Sequence, residues 1–188
     1  MNEKDLLRKK LKSQLSNMPN HLYEQSSDTI AKLLYQQPEW NNSNTIGITI
    51  SKQPEVHTRK IIIEAWNQKK TIVVPKCHPK SRKMEFREIT DYSQLESVYY
   101  GLLEPIVDKT RLIHKEEIDL LIVPGLGYTR DGFRLGFGGG YYDRYLQNYS
   151  GHTISLAFQS QLVEELMVEG HDIAVKKIIT DKEVIPIK

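Results

Sequence analysis

Cysteine is all but absent. Cys77 is the only one among 188 residues, so no internal disulfide can form, and a reducing, cytoplasmic compartment is the expectation. A structural zinc site needs four ligands at characteristic spacings, and Cys77 with its neighbour His78 has no such company. No apolar run approaches the roughly 20 residues that cross a bilayer, and the first twenty residues hold no stretch suited to a signal peptide. An excess of either charge is also missing. With 26 basic and 24 acidic residues the net charge is +2, which argues against a dedicated nucleic-acid surface. Repeats, low-complexity tracts and linkers are missing too, so residues 1–188 read as one domain, large enough for one full core. A monomer is the default expectation.

What is present is an alternation of helical and strand patterns. Leu7, Leu11 and Leu15 recur every four positions, which predicts a helix over 3–17 with Asn2 as its cap. A second helix is expected over 22–35, ending before Pro38. Strands are expected at 45–50, 71–74 (stopped by Pro75), 84–89, 119–123, 153–158 and 177–180. Helices are expected at 58–67, 141–149 and 161–168, with a short one near 93–98. Such alternation implies an α/β fold, with a mostly parallel sheet and helices on both faces. In these sheets ligands gather at the carboxyl ends of strands, here the loops after Ile50, Val74 and Val123.

The most informative segment is VPGLGYTRDGFRLGFGGGYYDRYL, residues 123–146. It leaves a buried strand, passes an Asp131-Gly132 turn signal, and enters a helix through Gly136, Gly138, Gly139 and Gly140. Glycine opens backbone conformations closed to other residues and leaves room for a ligand. Free amides at a helix start favour an anion there, and Arg134 can add a bidentate cation. A P-loop would need Gly-Lys-Ser/Thr, whereas Gly140 precedes Tyr141 and Tyr142. The dinucleotide pattern GxGxxG starts at Gly136 and Gly138 and fails at Tyr141. The competing reading of the four glycines is a flexible linker or a tight structural turn.

Around this turn the sequence resembles the 5-formyltetrahydrofolate cyclo-ligase family, also called 5,10-methenyltetrahydrofolate synthetases. The run from Arg134 through Leu135, Gly136, Phe137, Gly138, Gly139, Gly140, Tyr141 and Tyr142 to Asp143, preceded by Pro124-Gly125, carries most of the resemblance. Lys4-Asp5-Leu6-Leu7-Arg8, Pro54-Glu55-Val56 with Thr58, and His171-Asp172 match in the same order. The resemblance implies a three-layer αβα fold like that of sugar-phosphate isomerases and CoA transferases. It implies a ligase that uses ATP as co-substrate and magnesium as cofactor to close 5-formyltetrahydrofolate into 5,10-methenyltetrahydrofolate, releasing ADP and phosphate.

The roles carried over follow the matched positions. ATP contacts fall on Lys4 to Arg8 and on Arg134 to Tyr142. Substrate contacts fall on Arg8, Ile50, Glu55 and Phe137 to Tyr141. Magnesium falls on Asp143 and Asp172, and Arg134 and Asp143 are the expected catalytic pair, each replaceable by alanine without unfolding. Each residue also has a plainer reading. Lys4 and Arg8 suit a solvated basic face, Asp143 a favourable charge in a first helical turn, and Asp172 a turn beside Gly170. Glu55 could cap the next helix, Ile50 could be core, and Phe137, Tyr141 and Tyr142 could either enclose a pterin or pack inside. His57 and Lys176 depart from the family pattern, where acidic residues are expected. The rival functions are a sugar-phosphate isomerase or CoA transferase, a non-catalytic folate- or nucleotide-binding regulator, and, more distantly, a nucleic-acid module resting on the basic first helix.

Overall fold

The computed structural model describes residues 2–188. Helix α1 covers Glu3–Ser16, and the Asn2 side chain caps it by accepting the Asp5 amide at 2.8 Å. Leu11 and Leu15 are buried and Leu7 packs beside them, as their spacing requires. Helix α2 (Asn20–Tyr35) follows, then the short α3 (Pro38–Asn41). The short helix was not foreseen, although Pro38 at its first turn is a helix-start signal. Then come β1 (Thr45–Gly47), α4 (Arg59–Asn67), β2 (Thr71–His78) and β3 (Lys83–Ile89). Short strands β4 (Leu95–Ser97), β5 (Leu103–Pro105) and β6 (Arg111–Ile113) precede β7 (Leu120–Ile122). The hairpin β8 (Gly127–Tyr128) and β9 (Arg134–Leu135) leads to α5 (Tyr141–Leu146), β10 (His152–Leu156), β11 (Lys177–Ile179) and β12 (Val184–Pro186).

Eight strands form one sheet in the order β12-β11-β10-β7-β1-β2-β3-β6. The pairings β11/β10, β10/β7, β7/β1 and β1/β2 are parallel, while β12, β3 and β6 attach antiparallel at the flanks. The sheet divides two cores by strand alternation. Ile46, Ile72, Val74, Leu120, Ile122, Ile154 and Ile179 face the core that α1 to α4 contribute to. Val73, Leu121, Val123 and Ile178 face the other core, with Leu146 of α5 and Tyr128. Gly47 belongs to the second face, where a Cβ would lie 2.6 Å from Leu121 and 3.2 Å from Phe86.

Four expectations need correction. Pro75 does not stop β2. The strand β1 pairs only as far as Val73, so the ring at Pro75 lies where no β1 residue needs its missing N–H. Residues 93–98 do not form a helix, because Asp91 caps a single 3₁₀ turn at Tyr92–Gln94 and β4 then pairs with β5. Helix α5 stops at Leu146 rather than Tyr149. Residues 161–168 are not helical. After a 3₁₀ turn at Gln159–Gln161 the Val163 amide donates to the Tyr128 carbonyl, which draws the chain alongside β8.

Candidate active site

Strands β1, β7 and β10 end on one side of the sheet, and the loops leaving them frame a cleft. A cavity of about 130 Å³ is lined by Lys12 and Leu15 of α1, Glu55 after β1, Gly125 and Leu126 after β7, and Phe137. A recess of about 30 Å³ continues from it between Thr49, Ser51, Glu55, Pro124, Tyr128 and Gln161. The cavity lies at the loops after β1 and β7, beyond the carboxyl ends of parallel strands, where ligands collect in such sheets.

Glu55 belongs to both spaces. Burial pushes its carboxyl above the usual glutamate range, and the Lys52 amide, donating at 3.1 Å, only partly offsets this. It caps that local turn and not α4, whose N-cap Thr58 is instead held by reciprocal bonds with Ser51. Tyr23 donates to the Glu55 carbonyl at 2.9 Å and stacks on His57, so α2 supports the loop from behind. Ile50 packs against the first core. Phe137 is half exposed at the cleft, which rules out a core role for it.

Gln161 went unnoticed in the sequence. Its buried amide donates to the Gly125 and Leu126 carbonyls, both at 3.1 Å, and accepts the Phe158 amide at 2.8 Å. It thereby ties the loop after β7 to the loop after β10. Tyr128 is fully buried at the recess, and its hydroxyl has no hydrogen-bond partner among the described residues. The neighbouring Ser155 hydroxyl donates to the Val123 carbonyl instead. Burial raises the Tyr128 phenol, which therefore stays a neutral donor.

The glycine turn lies beside this cleft. Gly138 and Gly140 have φ of +105° and +62°, in the region that disfavours side chains. The amides of Phe137, Gly138, Gly139 and Gly140 meet no protein acceptor among the described residues. Helix α1 docks on the turn through Arg8, whose Nε donates to the Gly136 carbonyl at 2.9 Å and whose other arm holds Asp5 at 2.7 Å. Lys4 binds Glu169 at 2.7 Å and lies 3.7 Å from Asp172. The basic face of α1 is therefore turned onto the site and is not a solvated stripe.

Arg134 does not face the open turn. Its side chain is 3% exposed and donates to Asp143 Oδ1 at 2.8 Å and to the Ile173 carbonyl at 2.7 Å. The same Oδ1 accepts the Ile173 amide at 3.1 Å, while no hydrogen bond reaches Oδ2 among the described residues. Asp172 adjoins this knot, accepting the Glu169 amide. Among the described residues one group of three metal-ligating side chains converges, Glu169, His171 and Asp172, and Asp143 is not part of it. Tyr142 points inward with an unpartnered buried hydroxyl, and Tyr141 stacks under Arg144. Cys77 lies outside the cleft, and burial with the nearby Glu104 pushes its thiol up to about 11, where it is a poor nucleophile at neutral pH. No helix of the described residues is long and apolar enough to cross a membrane.

Comparison with known proteins gives one consistent answer. The sequence profile described as the 5-formyltetrahydrofolate cyclo-ligase family matches residues 1–181. The curated 5-formyltetrahydrofolate cyclo-ligase of Haemophilus influenzae is 31% identical over 176 residues, covering 91% of this chain and 92% of that protein. The mouse protein of the same name is 29% identical over 184 residues, covering 92% and 91%. Among solved structures, the Aquifex aeolicus 5,10-methenyltetrahydrofolate synthetase superposes with a TM-score of 0.86 at 26% identity, over 98% of this chain and 93% of that one. The Mycoplasma pneumoniae synthetase, at 22% identity, shares the fold with a TM-score of 0.78 over 96% and 99% of the two chains.

Proposed function

The chain belongs to the 5-formyltetrahydrofolate cyclo-ligase family, and on that footing we propose that ATP and magnesium meet at the corner between α1, the glycine turn and residues 169–173 while folate enters the adjoining cleft. The enzyme is a ligase that converts 5-formyltetrahydrofolate to 5,10-methenyltetrahydrofolate. The observation that carries the placement of ATP is the set of free amides at Phe137 to Gly140, flanked by Arg8 and Lys4. Unpaired N–H groups with adjacent cations suit phosphate oxygens.

The donor set also fits magnesium. Hard carboxylate oxygens are its preferred protein ligands, and Asp143 offers Oδ2 while Asp172 and Glu169 lie on the adjoining loop. Asp143 would hold the ion with Asp172, and the ion would neutralise phosphate charge. Arg134 then serves as a positioning residue that fixes Asp143 through Oδ1. Lys4 would exchange its carboxylate partners for phosphate.

The chemistry asked of the site is activation of an amide oxygen. The formyl oxygen attacks the γ-phosphorus of ATP, and ADP leaves. The folate N10 attacks the activated formyl carbon, loses its proton, and expels phosphate carrying the former formyl oxygen. Such phosphoryl transfer depends on positioning and charge neutralisation. Glu55 and Phe137 contact the pterin in this reading, with Gln161 holding the walls between which it sits. The test is to follow methenyltetrahydrofolate absorbance with folded protein, 5-formyltetrahydrofolate, magnesium and ATP. Turnover that needs all three additions is expected. Turnover without ATP, or none at all, would refute the proposal.

A further inference from the structure

The cleft has a polarity that the reaction itself does not require. At its inner end stands Glu55, a partly buried carboxylate that lines both the cavity and the recess. The walls between are largely apolar, from Leu15, Pro54, Leu126 and Phe137. At the rim stands Lys12 of α1, an exposed ammonium 5.9 Å from the Phe137 ring centroid. Lys4 and Arg8, its predecessors at four-residue spacing, are committed to Glu169 and to Asp5 and Gly136. Lys12 has no ion pair among the described residues. Lys52, on the loop that carries Glu55, donates its ammonium to the Tyr100 carbonyl. Lys12 is thus a cation lining the cleft that already has an aromatic face to orient it and no acid to hold it.

We infer that Lys12 is the outer anion contact of the cleft and takes a carboxylate of the substrate's glutamyl tail. The inference rests on the cyclo-ligase reading above. The substrate is itself polar from end to end. The amino and lactam N–H groups of its pterin are donors, and its glutamate is anionic. Donors directed at Glu55 leave the carboxylates directed at the rim. Lys12 is then a specificity residue, which reads the tail and leaves the reacting atoms alone. An exposed ion pair of this kind contributes a few-fold in affinity and is screened by salt.

The test compares Lys12→Gln and Lys12→Arg with the unaltered protein on two folates. One is 5-formyltetrahydrofolate. The other is 5-formyltetrahydropteroic acid methylamide, which keeps the pterin and N10 and carries no carboxylate. For Lys12→Gln the KM for 5-formyltetrahydrofolate should rise roughly fivefold, with kcat and the KM for ATP unchanged and the methylamide unaffected. Lys12→Arg should restore the affinity, and raising salt should weaken the natural substrate far more in the parent than in Lys12→Gln. Equal losses on both folates, or a change confined to the KM for ATP, would overturn the inference. Calorimetric binding of the two folates without ATP makes the same comparison independently of turnover. A parent protein that binds folate yet never cyclises it would refute the cyclo-ligase reading alone, while one that binds neither folate would overturn both.

Discussion

From sequence, Arg134 is a cation beside the glycine turn that alanine should replace without unfolding, and its surroundings attach a stability cost to its removal. Arg134→Met would remove a guanidinium that is 3% exposed and would leave Asp143, 21% exposed, with only the Ile173 amide. The Ile173 carbonyl would lose its donor as well. Removing one member of a buried ion pair costs about 3–5 kcal/mol, and the partial hydration of Asp143 places this site near the lower bound. For a chain of this length about 3 kcal/mol corresponds to a fall in Tm of about 6–12 °C. Calorimetric melting without ligands reads this directly. The cycle is completed by Asp143→Leu and by the double variant. Once one partner is gone, removing the second leaves no lone charge, so the double variant should lose much less than the sum of the single losses. A single-variant shift below about 2 °C, or strictly additive losses, would refute the view that this pair holds the turn to residue 173.

Two further substitutions probe the cleft floor. Burial raises the Glu55 carboxyl in the folded state, so the folded protein binds that proton more tightly than the unfolded chain does. The resulting destabilisation is absent below the unfolded value of about 4.3 and grows as pH rises through the higher folded value. Glu55→Gln should therefore melt higher than the parent at pH 7.5, should match it near pH 3.5 (about one unit below the unfolded value), and should bind folate more weakly. Parallel melting curves at the two pH values check this. Tyr128→Phe deletes a hydroxyl that is buried without a partner, and an unsatisfied buried donor costs about 1–3 kcal/mol. The variant should melt at least about 2 °C higher without ligand, and a lower Tm would mean that the phenol is bonded after all.

Much of the fold was legible because periodicity and burial coincide. The Leu7, Leu11, Leu15 stripe and the apolar runs around Ile46, Ile72, Leu120 and Ile154 name their structures unaided. Two of the failures share one cause. Gln161, Leu162 and Val163 look helical by composition, yet a side-chain amide bonded to two carbonyls and a bridge to Tyr128 override local propensity. Likewise β4 exists because β5 pairs with it, and Glu104 secures β5 by accepting the Cys77 amide and the Lys76 ammonium. The glycine turn could be read in advance because its residue types are chemically demanding. That Arg134 would spend its charge on Asp143 could not, since a motif records which groups are present and not which of them face one another.

The anchoring of α1 has an implication for how the enzyme matures. Arg8 meets Gly136 across 128 positions of chain, and Lys4 meets Glu169 across 165. Contacts so distant in sequence form late and slowly. A ribosome-bound chain released only through Phe158 would already carry every strand that frames the cleft from β1 to β10, yet its first helix would lack the acidic loop to which it latches. The corner between α1, the glycine turn and residues 169–173 is thus assembled last, when the trailing loop captures the leading helix.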